Sequence, residues 1–96
     1  MFVLLTYYID LSDGGKTLRK VAKTCEDYGV RVQNSVFELD IDSAGLVKLK
    51  NILGNIIDPA LDSIRIYKLG KMKKADVEII GKREVVEIST DNGLFL

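Results

Sequence analysis

The chain opens on Phe2-Val3-Leu4-Leu5-Thr6-Tyr7-Tyr8-Ile9, an unbroken run of apolar and β-forming residues. Such a run reads as a buried strand over 2–9. Leu11 to Gly15 (LSDGG) reads as a turn. From Lys16 to Tyr28 the apolar residues Leu18, Val21, Ala22 and Cys25, with Tyr28 one turn on, fall at helical spacing and make one buried stripe. Lys16, Arg19, Lys20 and Lys23 take the other faces, and Gly29 stands where a helix C-terminal glycine belongs.

Residues 30–41 (VRVQNSVFELDI) alternate as a strand does, with Asn34 and Ser35 marking a kink or bulge in the middle. Asp42 or Ser43 can cap a second helix, whose apolar set is Leu46, Leu49, Ile52, Leu53, Ile56 and Ile57. Asp58-Pro59 ends it, because the residue before proline avoids helical geometry. Asp62 to Leu69 (DSIRIYKL) alternates as a further strand, followed by the basic connection 70–74. Short strands are expected at 76–80 and 84–88, then a turn at Asn92-Gly93 and a hydrophobic end. This order predicts an α+β chain in which two helices cover one face of a mainly antiparallel sheet. The nearest common architecture is the ferredoxin-like βαββαβ sandwich with an additional C-terminal strand, provided 30–41 is one long strand or two short ones split at Asn34. At 96 residues the chain is read as one domain, 1–96. The segment 84–96 has little core left to cover in a monomer and is expected to add to the sheet edge of a second copy.

A chain this small makes a shallow site, or one that a second copy completes. It has no histidine, which removes histidine bases, Ser-His pairs and His-ligated zinc. A single cysteine, Cys25, makes no intrachain disulfide, which fits a reducing cytoplasm, and it reads as a small core residue. No run approaches about 18 apolar residues, so no membrane span is expected. Lys plus Arg and Asp plus Glu balance at 14 each, but they are segregated. Lys16, Arg19, Lys20, Lys23 and Arg31 face only Glu26 and Asp27, and Arg65, Lys68, Lys71, Lys73 and Lys74 form a second basic stretch without an acid. This either builds a phosphate-binding face on a neutral protein or is an ordinary solvated surface. Asp10, at the exit of the first strand, is either a turn acid or a ligand for Mg²⁺ or Mn²⁺, paired with its copy across a symmetric dimer. Gly14-Gly15 before a helix start can cradle a phosphate or simply turn the chain. Phe37 is a core residue or a stacking platform.

The stretch Leu18 to Glu38, LRKVAKTCEDYGVRVQNSVFE, together with IID (56–58), DSIRIYKLG (62–70) and VEIIG (77–81), resembles the CRISPR-associated protein 2 family of spacer-acquisition proteins. The resemblance runs from residue 2 to about residue 81. It implies a ferredoxin-like fold and a homodimer whose C-terminal strands exchange. It also implies a role bridging two dimers of the CRISPR integrase (protein 1 of the system), with the protein holding the spacer DNA through its backbone. Arg19, Lys20 and Lys23 match the family's basic helix; Arg31 and Phe37 match its arginine and aromatic in the second-strand block. Some members are metal-dependent nucleases acting on single-stranded RNA or double-stranded DNA, so the resemblance also implies an endonuclease reading with Mg²⁺ or Mn²⁺ as cofactor. The family's proposed metal-binding aspartate ends the first strand in a T-Y-D-[VI] pattern; here the stretch is Thr6-Tyr7-Tyr8-Ile9, and Tyr8 holds that position. Asp10 is two residues later, on the same face if the strand continues but about 6–7 Å further along it. Either Asp10 takes over as catalytic and metal residue through a shifted strand end, or this chain has no nuclease site. A toxin-like ribonuclease or RNA-binding module of the same general fold is a third reading, set against the missing paired aromatic motif of sheet-type RNA readers.

Overall fold

The computed structural model describes residues 1–73 and 76–81. The expected strand at 84–88 and the C-terminal segment 84–96 lie outside these. The elements run β1 (Phe2–Tyr8), α1 (Lys16–Glu26), β2 (Gly29–Gln33), β3 (Val36–Asp40), α2 (Ser43–Ile56) and β4 (Ser63–Lys68). The sheet order is β2-β3-β1-β4, and every neighbouring pair is antiparallel. Two helices on one face of a four-stranded antiparallel sheet in this order are the ferredoxin-like α+β arrangement.

The apolar opening run occupies the sheet interior, paired with β3 on one side and β4 on the other. Alternation sorts its side chains. Val3, Leu5, Tyr7 and Ile9 join Leu18, Val21 and Cys25 of α1 and Leu46, Leu49 and Leu53 of α2 in one core with Phe37 and Leu39. Leu4, Thr6 and Tyr8 point to the opposite face, where Arg65 and Tyr67 stand in cross-strand register with Thr6 and Leu4. No described helix covers that face, and Tyr67 is 44 % exposed.

Residues 30–41 are two strands, and the split falls at Asn34-Ser35. Gln33 pairs with Val36, leaving a two-residue loop. Neither loop residue has positive φ, so the loop is not the mirror-image turn that matches strand twist unaided. Beside the loop the ladder register shifts between Arg31 and Gln33, as it does at a bulge.

Helix ends follow local chemistry in part. Asp42 caps α2 by accepting from the Gly45 N–H at 2.7 Å. The α2 end at Ile56 precedes Asp58-Pro59, as expected. α1 departs from expectation: it ends at Glu26, and Gly29 is a strand residue without positive φ. A Cβ at Gly29 would sit 2.4 Å from the Glu38 carbonyl oxygen, so this glycine serves close strand approach and not a helix cap. The strand expected at 76–80 is also absent. These residues have no ladder partner in the described chain, and Ile80 is 99 % exposed.

Candidate functional site

α1 folds with Leu18, Val21 and Cys25 inward. At about 100° per residue, Lys16, Arg19, Lys20 and Lys23 then fall within an arc of about 100° on the opposite side, and all are exposed. From Lys16 to Lys23 this stripe runs about 10.5 Å along the helix axis. Arg19 bends back, its Nη1 donating to the Gly14 carbonyl at 3.3 Å. Lys23 lies in the last turn, where the helix dipole favours a cation.

The turn before α1 does not cradle an anion. Gly14 and Gly15 both have positive φ, which only glycine adopts readily, and they bring Asp13 over the helix start. Its carboxylate accepts from the N–H groups of Gly15, Lys16 and Thr17 and from the Thr17 hydroxyl. Those bonds, the Thr17 hydroxyl's above all, hold the Asp13 carboxyl below the ordinary range. A carboxylate already fills the position an incoming phosphate would need.

Arg31, expected among the phosphate-neutralising cations, is placed differently. It lies opposite Phe37 on the helix-covered face and is 9 % exposed. Its guanidinium carbon sits 5.3 Å from the Phe37 ring centroid, and Nη2 bonds the Glu26 carboxylate at 3.2 Å. A planar cation stacks on an aromatic face while its edge pairs with an acid, so it closes the core at the end of α1. Phe37 itself is fully buried, which excludes base stacking. Cys25 is likewise fully buried, and burial pushes its thiol up to about 12. Burial raises the Tyr7 phenol to about 12 as well, and its hydroxyl has no hydrogen-bond partner among the described residues.

At the exit of β1 a cleft of about 460 Å³ is lined by Tyr7, Tyr8, Ile9, Asp10, Leu11, Ser12, Leu18 and Ser35. Tyr8 pairs with Ser63 and stands 71 % exposed on the uncovered sheet face. Asp10 turns its carboxylate back on its own loop: Oδ2 accepts from the Ser12 N–H at 2.9 Å and from the Ser12 hydroxyl. The hydroxyl bond, then the backbone bond, lowers its pKa. The backbone N–H of Asp10 donates to Asp62 Oδ1 at 2.8 Å, and the other Asp62 oxygen accepts from the Asp58 N–H at 2.8 Å. Asp62 therefore ties the β1 exit to the α2–β4 connection. Sequence reasoning missed this role. Its signal was the Asp58-to-Asp62 spacing around Pro59, an acid at each end of a turn. Among the described residues no three acidic or cysteine side chains converge, and the carboxylates at this exit serve the protein's own donors, so the donor set does not fit a hard divalent cation. Of the basic stretch 65–74, Arg65, Lys68, Lys71 and Lys73 are exposed, and Lys74 lies outside the described residues.

The model of the family described as CRISPR associated protein Cas2 matches residues 1–77. A CRISPR-associated endonuclease Cas2 of Halalkalibacterium halodurans is 50 % identical over 90 residues, covering 92 % of this chain and 94 % of its own. A CRISPR-associated endoribonuclease Cas2 of Rhodospirillum rubrum is 48 % identical over 88 residues, covering 90 % and 93 %. Among solved structures, Streptococcus pyogenes Cas2 superposes with a TM-score of 0.73 at 51 % identity, covering 84 % of this chain and all of that one. Among the described residues no helix is long and apolar enough to cross a membrane.

Proposed function

Since the chain belongs to the Cas2 family of CRISPR-associated proteins, we propose that it is the small DNA-holding subunit of the spacer-acquisition complex. In this reading it acts in the cytoplasm as a symmetric homodimer that bridges dimers of the CRISPR integrase. The observation that carries it is the outward stripe of Lys16, Arg19, Lys20 and Lys23 on a chain of zero net charge. A linear row of cations on a rigid helix suits backbone contact, which positions DNA without reading its sequence. The uncovered sheet face, the β4 edge and the exposed Ile79 and Ile80 support a second copy as the dimer partner, with 84–96 as the exchanging segment. Gel-shift titration of a spacer-length duplex at two salt concentrations tests the reading. Affinity falls steeply with salt and hardly changes with base sequence; affinity flat in salt overturns it.

A second reading has one specific support, the names of the relatives as endonuclease and endoribonuclease. It makes the chain a Mg²⁺- or Mn²⁺-dependent nuclease with Asp10 as metal and catalytic residue. Metal-dependent cleavage of single-stranded RNA or double-stranded DNA that vanishes in Asp10→Ala establishes it; the bonding of Asp10 within its own turn weighs against it.

A further inference from the structure

We infer that the side chain at position 8 decides whether the first-strand exit holds a divalent cation, and that Tyr8 keeps this exit cation-free. The carboxylates nearby are already engaged. Asp62 accepts backbone N–H bonds on both oxygens. Asp13 does the same at the start of α1 and takes the Thr17 hydroxyl as well. Asp10 Oδ2 accepts both bonds from Ser12, which leaves Oδ1 as the one oxygen of these three carboxylates without a hydrogen bond among the described residues. One carboxylate oxygen and a shell of water differ little from the hydrated ion, because Mg²⁺ gives up its waters reluctantly.

Position 8 is different in kind. It ends β1, lines the cleft, lies opposite Ser63 and reaches solvent on the face no described helix covers. A carboxylate there would keep its lone pairs and share the cleft with Asp10. A neutral phenol there offers a hard cation a poor ligand. Among the described residues a second copy brings a second Asp10 with its Oδ2 likewise spent on Ser12, and a second phenol at position 8. A cation-free exit departs from the nuclease activity in the relatives' names, since water activated by a divalent ion needs that ion bound. It is independent of DNA holding, which uses α1 and no metal.

Calorimetric titration of the full chain with MnCl₂ and MgCl₂ at constant ionic strength, with thermal melts in parallel, tests it. The native protein gives no saturable heat up to about 10 mM metal, while Tyr8→Asp gains saturable binding and melts several degrees higher with metal present. Tyr8→Glu repeats the measurement if Tyr8→Asp does not fold. Saturable binding by the native chain that Asp10→Asn abolishes overturns the inference. A folded Tyr8→Asp and Tyr8→Glu pair that both stay silent overturns the assignment to position 8. Duplex gel shifts in EDTA on the same samples read the DNA-holding function separately, so failure of one is not mistaken for failure of the other.

Discussion

Arg31 and the cations of α1 carry the same charge and sit within one short stretch of chain, yet they occupy opposite environments. Arg19, Lys20 and Lys23 stand outside the helix, in water. Arg31 is inside, its guanidinium over Phe37 and its edge on Glu26. The lesson is that a cation's task follows from the face its strand or helix turns inward, not from its charge. On an exposed helix a cation adds little to stability and is available to a ligand. In the core it is a packing piece whose removal strands its partner.

That contrast can be broken by measurement, beginning with the largest expected effect. Phe37→Ala removes the buried wall under Arg31 and is expected to cost about 3–5 kcal/mol in denaturant unfolding. Arg31→Ala is expected to cost about 3 kcal/mol, the low end for a broken buried pair, because Glu26 keeps solvent contact. Arg31→Lys recovers little of this, since an ammonium has no plane to stack. Neither Arg31 variant should change the salt slope of duplex binding; a shallower slope would put Arg31 back among the groups that neutralise phosphate.

The exposed set should behave in the opposite way. Arg19→Gln, Lys20→Gln and Lys23→Gln each leave stability within about 0.5 kcal/mol. Each makes the slope of log affinity against log salt shallower by about 0.9 for every phosphate that the variant no longer neutralises. A triple variant that binds DNA with the native slope would remove the helix stripe from the interface.

The smallest effect concerns two buried acids beside Arg31. Tyr7 and Cys25 are both pushed up to about 12, from ordinary values of 10.0 and 9.0. Above pH 9 to 10 the unfolded chain releases protons that the folded chain retains, so stability is complete below that range and declines as pH rises toward 12. Tyr7→Phe removes a hydroxyl that has no partner among the described residues and is expected to raise stability at neutral pH by about 0–1 kcal/mol. It also makes the alkaline decline shallower, as unfolding midpoints between pH 8 and 11 would report.

Much of this molecule was legible in its residues because local rules and tertiary packing agree. The opening run is rich in apolar and β-forming residues, which reads as a buried strand, and it pairs on both sides. The stripe of Leu18, Val21 and Cys25 sets which side of α1 faces the sheet, and with it the outward stripe of cations. Asp42 and Asp58-Pro59 bound α2 by chemistry that acts within a few residues. Three features were not legible. The use of Gly29 depends on the Glu38 carbonyl across a strand pair, and Gly29 follows a helix, where glycine has a commoner local use. The destination of Arg31 depends on Phe37 and on the register that sets them opposite one another. The bond from the Asp10 N–H to Asp62 joins two segments far apart along the chain.

The sequence by itself determined the order of elements, the helix faces and the presence of a tyrosine, Tyr8, at the end of the first strand. Only the tertiary structure decided which cations meet water and which carboxylates are spent on backbone donors. The physical reason is range. Periodicity, capping and proline act over a few residues and can be read along the chain. Burial and hydrogen-bond satisfaction are settled by groups that only the folded sheet brings together.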